Sequence, residues 1–425
     1  MPKKTKIIFI SVFIIVGLII FGFYLWINRD QTTNKNGGSP WYQSFNPFGT
    51  GGTTTPDETG TDTPDGINQT PGDTNVGSSK FYQITDFAIA GATFLEETRP
   101  LSTMATSTGT TPESLTLPTK SQFEQVPSVR FVERTNGHIY KMFLDTKIKE
   151  KISNSTIPAI YEAYFDNGGD TVIYRYLSEE KIINSFVATI GAIKGEFLPQ
   201  NVSTLNTSKD KTKFFYLTEN SNGVTGTLAT FEGIKKEIVF NHPFTEWLSE
   251  SDGNQNIYLT TKPSSSVLGS MFILNTTNRT ISKIFGGIYG LTTMISPNGS
   301  LVLYSYTTNT GPKLGIFNIK EHSTKDLDTY GLAEKCVWSN NNMDIYCAVP
   351  NTIVGNQYPD YWYQGLISFD DFFVKIDAIN GSKITIANGD DEKPLDGTFL
   401  FLDKNENSLF FTNKKDSTLW SLDIR

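Results

Sequence analysis

Three glutamates, Glu162, Glu246 and Glu334, recur 84 and then 88 residues apart, each beside a run rich in β-branched and aromatic residues. Carboxylates gathered in one place could hold a cation or meet a basic group of a partner. They could also divide acid and base roles in glycan cleavage, which needs two carboxyls about 5–9.5 Å apart. Left apart, they are simply solvated or paired locally. A second group is aromatic: Tyr358, Tyr361, Trp362 and Tyr363 crowd into residues 351–371. Rings with a polar tip are what binding hot spots use, and packing of the segment on its own support explains them equally well. The third group is Cys336 with Cys347, the only two cysteines. They are symmetric about Asn341-Asn342, so a hairpin turning there sets them face to face as a disulfide pair in an oxidising compartment.

The rest of the chemical inventory is thin. His138, His242 and His322 stand far apart with no metal-ligand spacing, so neither a metal nor a cofactor is expected. There is no Gly-x-Ser-x-Gly nucleophile elbow and no Gly-rich phosphate loop ending in Lys-Ser/Thr. A formal net charge of −8 argues against a nucleic-acid partner, because phosphate neutralisation needs a basic face. These absences point to a non-enzymatic protein- or glycan-binding or scaffolding module; the alternative is an enzyme acting on cell-wall or surface glycans through the channel carboxylates.

Positioning such residues falls to a repeated hairpin. Residues 291–306 read as two strands joined by Pro297-Asn298-Gly299-Ser300, where Pro presets φ and Asn and Gly tolerate positive φ. Similar hairpins turn near residues 166–170, 208–212, 251–254, 340–342 and 403–407. An aromatic closes the second strand of each, at Tyr174, Tyr216, Tyr258, Tyr304, Tyr346 and Phe411, the first five spaced by 42, 42, 46 and 42 residues. A period in the low forties with four strands per unit is that of propeller blades. One more blade precedes these, its first two strands separated by a Ser/Thr/Pro-rich insertion over about residues 96–125, so an all-β, seven-bladed β-propeller is expected over residues 80–425. The last unit is one strand short, and Phe81-Tyr-Gln-Ile-Thr85 is the candidate to complete it and close the ring.

The stretch Ile295-Ser-Pro-Asn-Gly-Ser-Leu-Val-Leu-Tyr304 resembles the Ser-Pro-Asp-Gly hairpin of TolB-like propellers, and the whole pattern resembles WD-repeat-type propellers. It is also similar to membrane-anchored bacterial propeller proteins that share Glu334-Lys-Cys-Val-Trp-Ser339, Ile345-Tyr-Cys-Ala-Val-Pro350 and Trp362-Tyr-Gln-Gly365. The TolB-like resemblance implies protein binding on the extracytoplasmic side. It carries no catalytic residues to transfer.

The N-terminal part divides into three. Residues 1–6 carry Lys3, Lys4 and Lys6; residues 7–27 form an uncharged apolar run of spanning length; and residues 28–79 are a Gly/Thr/Pro/Asp-rich linker holding the aromatic cluster Trp41 to Phe48. The charge bias predicts a single-pass signal anchor in the cell membrane, with the N-terminus cytoplasmic and the C-terminal domain extracytoplasmic.

Overall fold

The structure, a computed structural model, describes residues 80–425 except 101–122, 179–181, 193–194, 233, 253–254 and 390–392. The expected anchor and linker lie outside the described residues, among which no helix is long and apolar enough to cross a membrane.

The described residues form seven four-stranded antiparallel sheets in chain order, a seven-bladed β-propeller. The hairpin at Pro297 shows how each blade is made. Thr292–Ile295 pairs with Leu301–Thr308 in the register Thr292↔Ser305 to Ile295↔Val302. The turn is closed by Ser296 N to Leu301 O (2.8 Å) and by the Ser296 hydroxyl accepting from Leu301 N (2.9 Å). Gly299 takes a φ of +70°, where a side chain would be strained.

Bulky apolar side chains then join blade to blade. The aromatics that mark the repeat are all buried: Tyr174, Tyr216, Tyr258, Tyr304, Tyr346 and Phe411. Tyr216 packs with Ile173 of the preceding blade, and Tyr258 with Val302 of the following one. Such burial is worth about 1.5–3 kcal/mol per large side chain.

Ring closure follows the expected route. Phe81–Gln83 adds to Thr418–Asp423 through Phe81↔Leu422 and Gln83↔Trp420, completing the last blade. Ile84 then packs with Phe410 and Leu419 of that blade and Val129 of the first. Hydrogen bonding continues past the strand, with Ile84 N donating to Leu419 O at 2.8 Å.

The first blade departs from expectation. Ile89–Pro100 and Phe123–Glu133 pair continuously out to Pro100↔Phe123, so the separating insertion shrinks to residues 101–122, outside the described residues. Charge pairing holds the long hairpin: Arg130 meets Glu97 at 2.7 Å, and Arg99 meets both Glu124 (2.8 Å) and Asp145 (2.7 Å).

Cys336 and Cys347 are directly opposed in the ladder of Cys336–Trp338 with Asp344–Pro350, and their sulfurs form a disulfide with Cα atoms 4.0 Å apart.

Candidate functional site

The first strands of the blades line the central channel, and between blades three and seven they surround a cavity of about 510 Å³. Its polar groups come from different blades: Glu250 from Trp247–Ser251, Thr293 from Thr292–Ile295, Glu334 from the turn before Cys336, and Lys414 from the end of the last blade's second hairpin. The apolar wall includes Met294, Trp362 and Phe399. Phe399 is 64% exposed and left-handed at φ 50°, and it also borders a smaller cavity of about 160 Å³ beside Glu162. A non-glycine residue held at positive φ beside a cavity is a backbone position the surrounding fold imposes.

Glu334 sits in a short 3₁₀ turn, Ala333–Lys335, created where the chain enters the sixth blade. The Tyr363 hydroxyl donates to its carboxylate. Burial pushes the Glu334 carboxyl up to about 7, against the lowering effect of that hydrogen bond and of Lys335. Glu250 accepts from Ile295 N at 2.8 Å and from the Thr293 hydroxyl at 3.5 Å. Its carboxyl also rises to about 7, chiefly through burial; the Ile295 bond opposes this and the charge of Glu334 adds to it. Each feels too little water to ionise as a free carboxylate would, and Glu250 is disfavoured further once Glu334 is charged. A carboxyl raised in this way keeps its proton to a higher pH than a solvated one, which is a condition for acid–base chemistry.

The three glutamates singled out by period do not converge. Glu334 reaches the channel. Glu162 borders the smaller cavity, but its carboxylate is taken by Arg175 (2.7 Å) and the Tyr164 hydroxyl (3.0 Å). Glu246 falls just before its strand, is exposed, and pairs with Lys262 at 3.0 Å. The strand begins one residue later at Trp247, whose indole NH donates to Phe244 O, so the residue carried to the channel is Glu250. Glu250 was missed although it lies 84 residues before Glu334, the same two-blade interval.

The aromatic segment also divides. Tyr358 and Trp362 are buried with Phe369 and Leu332 under the insertion and so are core rather than presented contacts. The Trp362 indole NH donates to Asp396 at 3.1 Å. Tyr363 turns to Glu334, and Tyr361 lines a separate polar cleft.

No protein-family model and no curated protein matches the sequence. Among solved structures it is similar to an oligogalacturonate lyase in complex with manganese, at 10% identity over 70% of this chain and 86% of that chain, with a TM-score of 0.50. An oligogalacturonate lyase from Vibrio parahaemolyticus aligns at 10% identity over 80% of this chain and 99% of that chain, with a TM-score of 0.47. At such identity the likeness shows the fold alone. The expectation of a non-enzymatic module is corrected to this extent, that the fold it was read from is also the fold of an enzyme. A manganese site does not fit the residues here: among those described, no three His, Cys, Asp or Glu side chains gather to hold a metal.

Proposed function

We propose that this propeller is an enzyme that cleaves a glycan by acid–base catalysis in the central channel. The observation that carries the reading is the Glu250–Glu334 pair, half-buried on the fourth and sixth blades and lining one cavity, with both carboxyls raised to about 7. Glu334, whose ionised form is favoured by the Tyr363 hydroxyl, serves as the base, and Glu250, held protonated beside that charge, serves as the acid. Phe399 offers ring surface for a sugar, and Lys414 offers a cation in the same cavity. Lys414 donates to Trp362 O at 2.8 Å, which keeps its ammonium at the wall. The shared architecture with an oligogalacturonate lyase supports a glycan as the substrate class.

The Ser-Pro-Asn-Gly hairpin supports placing the domain among TolB-like propellers. The apolar run at residues 7–27 behind Lys3, Lys4 and Lys6 supports a membrane anchor with the propeller outside the cell, where the disulfide and a surface glycan belong. The test is cleavage of a panel of cell-wall and surface polysaccharides by the full-length chain, read as new reducing or unsaturated ends. Glu250→Gln and Glu334→Gln should each lower turnover by about 10²–10⁴-fold, the usual contribution of a positioned acid or base. Unchanged turnover in both variants, or no cleavage of any polysaccharide, would overturn the reading.

A further inference from the structure

Beside the channel cavity, separated from it by the helical turn Asp360–Tyr363, lies a second cleft of about 530 Å³. Segments of blades four, five and six meet there, with Tyr289 and Asn309 on one side and Gln357, Asp360, Tyr361 and Gln364 on the other. The walls are tied together. Ser265 N donates to the Asp360 carboxylate at 2.6 Å, and the Thr307 hydroxyl donates to Tyr358 O at 2.6 Å. Gly290, at φ +65°, lets the link between blades four and five pass beneath, where a Cβ would meet Thr307 Oγ1 at 2.0 Å.

The lining is amides, hydroxyls, the Asp360 carboxylate that Ser265 N caps, and two tyrosine rings, one of them, Tyr289, 48% exposed. Among the described residues no Lys, Arg or His lines it, so a phosphate, sulfate or uronate group finds no countercharge there. Side chains that both donate and accept match the paired hydroxyls of an uncharged sugar, and the rings match its apolar face. The helical turn shares its residues between the two spaces: Tyr361 and Gln364 line the outer cleft, while Trp362 and Tyr363 line the channel cavity.

We propose that the outer cleft is a subsite for uncharged hexose units of the glycan, holding the chain at a distance from the reacting bond. The proposal rests on the channel cavity being the cleavage site and adds a substrate requirement: length, with neutral units away from the cut. The probes are glucose and N-acetylglucosamine oligomers of one to six units, titrated calorimetrically into the full-length chain, with uronate oligomers of the same lengths in parallel. Affinity for neutral oligomers should rise with length, and Tyr361→Ala and Asn309→Ala, on different blades, should each weaken the six-unit oligomer about tenfold while sparing the two-unit one. Melting temperatures of both variants report whether they fold. Glu334→Gln should leave the length dependence intact. Length dependence lost in the cleft variants while Glu250→Gln and Glu334→Gln cleave normally would keep the subsite and sink the channel chemistry. Length dependence unchanged in folded cleft variants, binding of uronate but not neutral oligomers, or no binding at all would overturn the subsite.

Discussion

Glu334 and Lys335 are consecutive, yet the fold treats them in opposite ways. Lys335 is fully buried between Asp371 and Asp396, both also fully buried, and its ammonium makes bonds of 2.8 Å, 2.5 Å and, to Gly397 O, 2.9 Å. Asp396 is further held by Trp362, Ser368 and Phe369 N, and its carboxyl lies below the usual range despite burial because Lys335 and these donors favour the charge. Glu334 and Glu250, by contrast, face a cavity with no cation bonded to either among the described residues. Buried charge that is paired and hydrogen-bonded joins blade six, blade seven and the insertion into one body. Burial raises Asp371 too, to about 6, with Lys335 opposing it, whereas Glu250 and Glu334, which no cation bonds among the described residues, rise to about 7.

The largest effect is expected at Lys335. Lys335→Met should cost about 3–5 kcal/mol, because two buried carboxyls lose the ammonium bonded to both. The loss, read by urea unfolding, should shrink toward acid pH as the carboxyls protonate. A cost below about 1 kcal/mol at pH 7 would mean the cluster is not what binds the blades.

The next effect is that of the disulfide, which starts at the following residue, Cys336. Replacing Cys336 and Cys347 by alanine should cost up to about 3 kcal/mol on the chain-entropy expectation for so short a loop. It should also loosen the turn that presents Glu334. Equal unfolding midpoints with and without reductant would show that the sheet alone holds this strand.

What could be read from the residues before the fold was known follows the same division. The blade period was visible because second-strand aromatics such as Tyr216 and Tyr258 fill the gaps between blades and must recur. The disulfide was visible because antiparallel register is symmetric about a turn. Glu334 was found by period alone. Glu250 was not, because choosing it over Glu246 depends on where Trp247 starts the strand, a boundary set by packing against Phe240 and Phe244. The Lys335 cluster left no local signal at all: its aspartates lie 36 and 61 residues downstream, the second in another blade. Nor could the insertion's aromatics be sorted into core and surface without the cavity they separate.

A smaller effect distinguishes the unpaired carboxyls by pH. The Glu250 carboxyl rises in the folded chain to about 7, above its ordinary value, so the folded state keeps a proton that the unfolded state releases. Stability must then fall as pH climbs from the ordinary carboxylate range to about 7, and stay reduced above it. Glu250→Gln removes that loss. It should be stabilising by about 1–2 kcal/mol at pH 8, after discounting for the residue's partial exposure, and neutral at pH 4. Destabilisation at both pH values would show Glu250 to be a structural acceptor for Ile295.

The smallest change is the removal of one hydroxyl. Tyr363 donates to Glu334, and burial together with the nearby carboxylate pushes the Tyr363 phenol well above its usual value, so it stays protonated and keeps donating throughout the working range. That bond favours the ionised form of Glu334. Tyr363→Phe should therefore raise the Glu334 carboxyl by about one pH unit, since a hydrogen bond to a charged group is worth about 1.5–3 kcal/mol and water replaces part of it at a half-exposed site. The shift can be followed by carbon NMR titration of labelled glutamate, with no substrate needed. In cleavage assays it should move the acidic limb of the bell-shaped pH profile upward and leave the alkaline limb, set by Glu250, nearly unchanged. Asp371 and Asp396 should titrate as before, because they answer to Lys335 and not to Tyr363. If Tyr363→Phe moves those aspartates as much as Glu334, the two sets of buried charges are one coupled network, and the division between a structural cluster and a chemical pair does not hold.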